Sequence, residues 1–205
     1  MKNSFLVILT LLGIQQINAQ FTRRDSLQGG LRIERTSYDV KRYDLNITIN
    51  PEQKSIKGFN EITFDVVIPT QKIQLDLFEN MKVDSIVWNA KKLNYKRDND
   101  AVFIDFPEKL ASKSNHKLRF YYSGNPRIAR NAPWDGGFVF KKDSNGKDFI
   151  AVAVQGTGAS LWYPVKDSQS DEPDNGASIK VAVPNGLMNV SNGRFLGSQD
   201  LKNGY

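Results

Sequence analysis

The sequence predicts an all-β chain in which antiparallel sheets pack as a sandwich. Short segments rich in β-branched and aromatic residues recur along it, separated by Asn, Asp, Lys, Ser or Pro, and that spacing of strands and turns marks stacked antiparallel sheets. Past residue 19 no stretch sustains a helical apolar period, so no long helix is expected. There is no internal repeat and no low-complexity tract.

Segment 43–50 (Tyr-Asp-Leu-Asn-Ile-Thr-Ile-Asn) alternates apolar and polar residues as a half-buried strand does, and 51–54 is a turn. Segment 56–68 continues the pattern through Phe59, Ile62, Phe64 and Val66, completing a long hairpin. Further strands are expected at 72–77, 82–88, 101–106 and 117–122. Segment 149–154 (Phe-Ile-Ala-Val-Ala-Val) is almost continuously apolar and reads as a buried strand. Segments 179–183 and 189–196 read as two strands joined by Pro184-Asn185-Gly186, and 199–205 as a hairpin turn that calls for a returning strand. On that reading the domain is incomplete at its C-terminus.

The 205 residues are 40% hydrophobic and 24% charged, a globular composition with room for one large domain. The N-terminus places Lys2 before an apolar run at 5–14 and the small residue Ala19, the order of a secretory signal peptide at 1–19. The run is shorter than the roughly 20 residues of a permanent membrane anchor. The mature protein is therefore expected to begin at Gln20, exported to the periplasm or outside the cell, with no permanent membrane anchor. Segment 20–37 is polar and reads as a leader lying on the surface or disordered, with the domain proper at 38–205. Loss of Lys2 would lower the formal charge of +6 to +5. Lys91-Lys92 and Lys141-Lys142 read as solvated turn charges, and without a basic run no nucleic-acid partner is expected.

The chain has no Cys, and its single His is His116, which excludes thiol catalysis, disulfides and an H-E-x-x-H zinc motif. His116 follows Ser114-Asn115 at a polar turn, where an exposed loop histidine is the ordinary reading and a triad base the less supported one. Gln155-Gly156-Thr157-Gly158 follows an apolar strand, as phosphate-binding turns do, but Leu161 and Pro164 stand where a third glycine and a helix would be needed. What remains is a glycine-rich bend that sets the Gln155 amide at a strand end, free to face a cleft.

The run from Gln155 to Asp167 (Gln-Gly-Thr-Gly-Ala-Ser-Leu-Trp-Tyr-Pro-Val-Lys-Asp), with Asp171-Glu172-Pro173-Asp174 after it, resembles the N-terminal domain of the aminopeptidase N family of zinc metallopeptidases. Arg42-Tyr43-Asp44-Leu45, Ile56-Lys57-Gly58, Glu61-Ile62-Thr63-Phe64, Tyr121-Tyr122-Ser123-Gly124-Asn125-Pro126 and Gly136-Gly137-Phe138 are similar to that family in the same order. The resemblance implies a saddle-shaped β domain forming one edge of the active site, with Gln155 and Gly156 substrate-binding and Gln155 receiving the free amino terminus of a peptide substrate. An amide oxygen can accept a hydrogen bond from an ammonium group; Ala153 stands where many members place a second polar side chain. The family's zinc motif and Gly-x-Met-Glu-Asn strand do not occur here, so the chain is expected to hold no catalytic residue, metal or cofactor. Zinc is expected only in a separate catalytic domain, its partner, without which the domain is inactive.

The alternative is a self-standing exported β-sandwich module that binds a protein or carbohydrate partner through the Trp134 and Trp162 regions, although core packing is the better reading for both Trp residues. A carboxylate-pair hydrolase using Asp171 and Glu172, or Asp135, is the weakest reading, since such acids more often form solvated turns.

Overall fold

Residues 21–205 are described by the computed structural model, and the expected signal peptide, 1–19, lies outside them. Among the described residues two short helices, α1 (Arg23–Gly29) and α2 (Ile33–Thr36), precede eleven strands: β1 (Tyr38–Asn50), β2 (Ser55–Val66), β3 (Thr70–Asp76), β4 (Met81–Trp88), β5 (Lys91–Lys92), β6 (Asn94–Asp98), β7 (Ala101–Leu110), β8 (Asn115–Gly124), β9 (Gly137–Lys142), β10 (Asp148–Ala153) and β11 (Ala177–Ala182). They form a six-stranded sheet in the order β11-β1-β2-β8-β4-β5, a three-stranded sheet β3-β7-β6 and a two-stranded sheet β10-β9. The fold is all-β, without a closed barrel. Pairing between these strands is antiparallel except where β11 returns to lie parallel beside β1, from Tyr43 opposite Ala177 to Thr48 opposite Ala182.

The six- and three-stranded sheets share one apolar core. Ile56, Ile62, Phe64 and Val66 face it from β2, Leu118, Phe120 and Tyr122 from β8, and Ile73, Leu75, Val102, Ile104 and Phe106 from β3 and β7. Trp88 and Phe64 both pack on Phe106, at 5.4 and 6.2 Å between ring centres, joining the two sheets. A bulge between Val40 and Arg42 shifts the two-residue alternation, so that Tyr38 and Val40 before it and Tyr43, Leu45 and Ile47 after it all face inward.

The outer face of β3 is buried too at Gln74 and Asp76, where the leader covers it. Thr22 caps α1 reciprocally with Asp25 and Leu27 is buried beneath the helix. From the leader, Arg23 pairs with Asp98, Arg24 with Asp100, and Arg35 with Asp76, while Arg32 donates to Gln74. Of the two states expected for this polar segment, lying on the surface or disordered, residues 21–37 take the first and dock on β3 and its neighbours.

Two expectations about strands are corrected. Strand β10 is not buried, since Phe149 is 54% exposed and Val152 and Val154 also face solvent; only one face of the β9–β10 ribbon meets the core, through Phe138, Phe140 and Ile150. Segment 189–196 forms no strand, and Val190, Phe195 and Leu196 are exposed; alternation alone makes no strand where no neighbour offers a ladder. Strand β6 had no expected counterpart, because its mostly exposed polar residues are held by pairing with β7 and not by burial.

Candidate functional site

Gln155 lies exposed in the turn that follows β10. The N–H groups of Thr157 and Gly158 both donate to the Val154 carbonyl at 3.0 Å, and the Thr157 hydroxyl adds a third bond at 3.1 Å. Gly156 takes φ +69 with open space around it, so conformation and not room requires glycine there. The sequence placed Gln155 at a strand end, and the structure keeps it there on a turn closed by its own backbone.

The turn is anchored on its C-terminal side. Gly158, at φ +81, lies so close to Asp167 that an added Cβ would sit 2.6 Å from the Asp167 Cγ. The Asp167 carboxylate accepts from the Ser160 hydroxyl at 2.6 Å and from the Ser160 N–H at 3.3 Å. The Ser160 carbonyl accepts from Phe78 N–H at 2.9 Å, and Asp76 and Val165 exchange two backbone bonds at 2.8 and 3.1 Å, pinning this loop to the end of β3. Gly158→Ala is expected to cost about 2 kcal/mol through strain at positive φ and collision with Asp167. The measurement is thermal unfolding, and a melting curve unchanged from the natural chain would contradict this packing.

Farther along, the Lys166 side chain is buried, donates to the Tyr38 carbonyl at 2.6 Å, lies 4.4 Å from the Tyr38 ring centre and pairs with Asp171. The conspicuous residues from Ser160 to Asp171 therefore hold the loop on β1 and β3. Asp171 is spent on that pair while Glu172 is exposed, and Asp135 accepts from the N–H groups of Arg130 at 2.6 Å and Asn131 at 3.1 Å. Those backbone donors hold its carboxyl below the usual range. Asp135 and Asp171 are thus already engaged, and nothing sets two of these carboxylates facing each other across a cleft.

The two tryptophans part company. Trp162 is half-buried against Phe138 and Tyr163, as core packing predicts. Trp134 is 69% exposed. It stands in the loop before β9, and that loop meets the Gln155 turn where Gly136 abuts Thr157, an added Cβ lying 2.8 Å from Thr157 Cγ2. His116 is half-buried in β8 and not on an exposed loop, with Phe64 and Trp88 rings at 5.7 Å. Its Nε2 lies 2.7 Å from the Ser114 oxygen, whose hydroxyl donates to the Ala111 carbonyl, and burial lowers its pKa. That pair lacks the orienting carboxylate of a triad.

Among the described residues no group of His, Cys, Asp or Glu could hold a metal ion, so the residues present do not fit a zinc site. Concavities of about 240 and 280 Å³ lie away from Gln155, one by Asn50, Lys57 and Tyr205, the other by Glu61, Lys117 and Tyr121. Gln155 lines neither of these two concavities.

The sequence analysis missed the leader's ion pairs. Thr22-Arg23-Arg24-Asp25 carries a capping pattern ahead of Leu27, which was the available signal. Nothing local marks Asp76 as a buried partner for Arg35.

The family model of the Peptidase M1 N-terminal domain matches residues 39–205. A search of curated proteins returned no match. Among solved structures, the chain is similar to a mutant two-domain M1 zinc metallopeptidase bound to L-arginine, with a TM-score of 0.66, 23% identity, 82% of this chain covered and 37% of that one. A mutant M1 zinc metallopeptidase from Deinococcus radiodurans bound to a Tyr-Ser-Ala substrate gives 0.63, 22%, 82% and 38%. Leukotriene A4 hydrolase from Saccharomyces cerevisiae gives 0.54, 14%, 72% and 23%. The chain spans less than two fifths of the length of each. Shared fold and a family match over nearly all the described residues lead to one conclusion: the chain belongs to the M1 peptidases, as an N-terminal domain of that family.

Proposed function

We propose that this domain is the substrate-edge part of an exported zinc aminopeptidase, in which Gln155 receives the free amino terminus of the peptide and Gly156 permits the turn. The observation that supports this is the exposed Gln155 on a backbone-closed, doubly anchored turn. Its side-chain oxygen can accept a hydrogen bond from an ammonium group. A neutral amide gives no charge attraction, so affinity must also come from the surface that faces it. That surface is the zinc-bearing catalytic domain, and without it the chain is inactive.

In a polypeptide joining this chain to such a domain, Gln155→Ala is expected to weaken handling of substrates with a free amino terminus by about 1 to 3 kcal/mol. Folding stability should change little, because Gln155 is exposed. Equal losses on free and N-acetylated substrates would refute the role. Export is tested by mass spectrometry of secreted material: cleavage after Ala19 leaves Gln20 or its cyclised form, and a retained Met1 would refute it.

A second reading, a self-standing binding module, has one observation in its favour, the exposed Trp134 in a loop whose Gly136 meets the Gln155 turn at Thr157. The encoded reading frame distinguishes the two. An in-frame His-Glu-x-x-His after Tyr205 supports the peptidase, and a stop codon supports the module.

A further inference from the structure

We propose that the leader ahead of the family-matched residues is a clamp for the Gln155 turn, with Arg35 as its positioning residue. This rests on the reading of that turn as the substrate edge. The family match begins at residue 39, so the leader at 21–37 lies ahead of the matched residues.

The chain of contacts is continuous. Arg35, 4% exposed, donates from one guanidinium nitrogen to Asp76 Oδ2 at 2.6 Å and from the other to the Asp167 carbonyl at 2.6 Å. Asp167 N–H donates to the same Asp76 oxygen at 3.2 Å. Arg35 and Asp76 thereby grip both backbone groups of Asp167. The Asp167 carboxylate holds Ser160 and backs onto Gly158, whose N–H closes the Gln155 turn on Val154. A planar fork suits this double attachment, and a lysine could satisfy only one arm of it.

The loop has a separate anchor on β1 through Lys166 and Asp171, and the Arg35 guanidinium hydrogen-bonds neither side chain. Losing the Arg35 fork should therefore loosen the Gln155 side of the loop while the loop stays on the sheet. A substrate-facing side chain gains affinity when its backbone is held before the ligand arrives, because less ordering remains to be done on binding.

The test has two arms. In the 205-residue chain, Arg35→Lys should accelerate amide hydrogen exchange at Thr157, Gly158 and Ser160 at least tenfold, with Ile62, Leu118 and Phe120 in the central sheet unchanged. The double variant Arg35→Met/Asp76→Leu, which leaves no unpaired charge, should do the same. Unchanged exchange at the turn in both variants overturns the clamp. Equal acceleration at the turn and in the central sheet also overturns it, because Arg35 would then be a general stabiliser.

In the polypeptide that includes the catalytic domain, with alanine p-nitroanilide as substrate, Arg35→Lys should raise KM about tenfold and leave kcat within twofold. Its effect should not add to that of Gln155→Ala, since both act through one side chain. If Gln155→Ala raises KM and Arg35→Lys does not, the inference is overturned. If Gln155→Ala itself changes nothing, the substrate-edge reading fails, and the clamp is then judged by hydrogen exchange alone.

Discussion

Replacing Gly58 by alanine is expected to disrupt the six-stranded sheet at its centre. Gly58 lies in β2 opposite Ile47 of β1 and Tyr122 of β8. An added Cβ would lie 2.8 Å from the Ile47 Cα and nearer still to the Asn46 carbonyl oxygen. Both obstacles are backbone, so no side-chain rotation relieves them. The strands would have to separate where Ile56, Asn60 and Ile62 seal the inner face. An alanine in a strand ordinarily gains about 0.5 to 1 kcal/mol over glycine. Here the expected net effect is a loss of about 3 kcal/mol or more. For a chain of this size that lowers the melting temperature by on the order of 10 °C, and valine should prevent folding altogether. Thermal unfolding followed by circular dichroism decides it, and an alanine variant melting within a degree or two of the natural chain would show that the sheet opens without cost.

Breaking the buried pair between Arg35 and Asp76 is the second large effect. Both side chains are almost fully enclosed, and Asp76 also accepts from the Gln74 amide at 2.6 Å. Arg35→Ala at neutral pH would leave the enclosed Asp76 without its cation, so that it either stays charged or takes up a proton, at a cost of about 3 to 5 kcal/mol. Arg35→Met/Asp76→Leu should recover much of that loss, because the desolvation cost of both charges goes with them. Denaturant unfolding of the single and double variants gives the comparison. A double variant as unstable as the single one would mean that the pair's polar network, and not an orphaned charge, sets the penalty.

Titration adds a sign to this. Burial pushes the Asp76 carboxyl from 3.8 up to about 6, against the downward pull of Arg35, Gln74 and the Asp167 N–H. A raised folded value means that the folded chain holds this proton more tightly than the unfolded chain does. The group's contribution is therefore complete below about pH 4 and fades as pH rises through about 6. The stability of the natural chain minus that of Asp76→Asn is expected to fall by up to about 3 kcal/mol between pH 4 and pH 7. A difference that grows with pH would mean that the ion pair outweighs desolvation.

Much of this molecule is local in origin. The β1–β2 hairpin follows from alternating side chains around 51–54, and β3, β4, β7, β8, β10 and β11 all lie where β-branched and aromatic runs meet turn residues. Gln155 in a turn after a strand, and the likeness to the M1 N-terminal domain over residues now matched to it, were legible in the same way. A two-residue period and a glycine at positive φ are properties of the chain itself.

Burial is decided by what lies on top. The run 149–154 is apolar enough for a buried strand, yet it edges a two-stranded ribbon whose outer face nothing among the described residues covers. Segment 20–37 is polar enough for a free tail, yet α1 and α2 dock because the outer face of β3 offers Gln74 and Asp76 to arginines. The contacts that hold the Gln155 turn join Arg35 to residues 41 and 132 positions away in sequence. Hydrogen bonds and ion pairs at such separations leave no period in the sequence, because each needs one donor and one acceptor that only the completed sheets bring within reach.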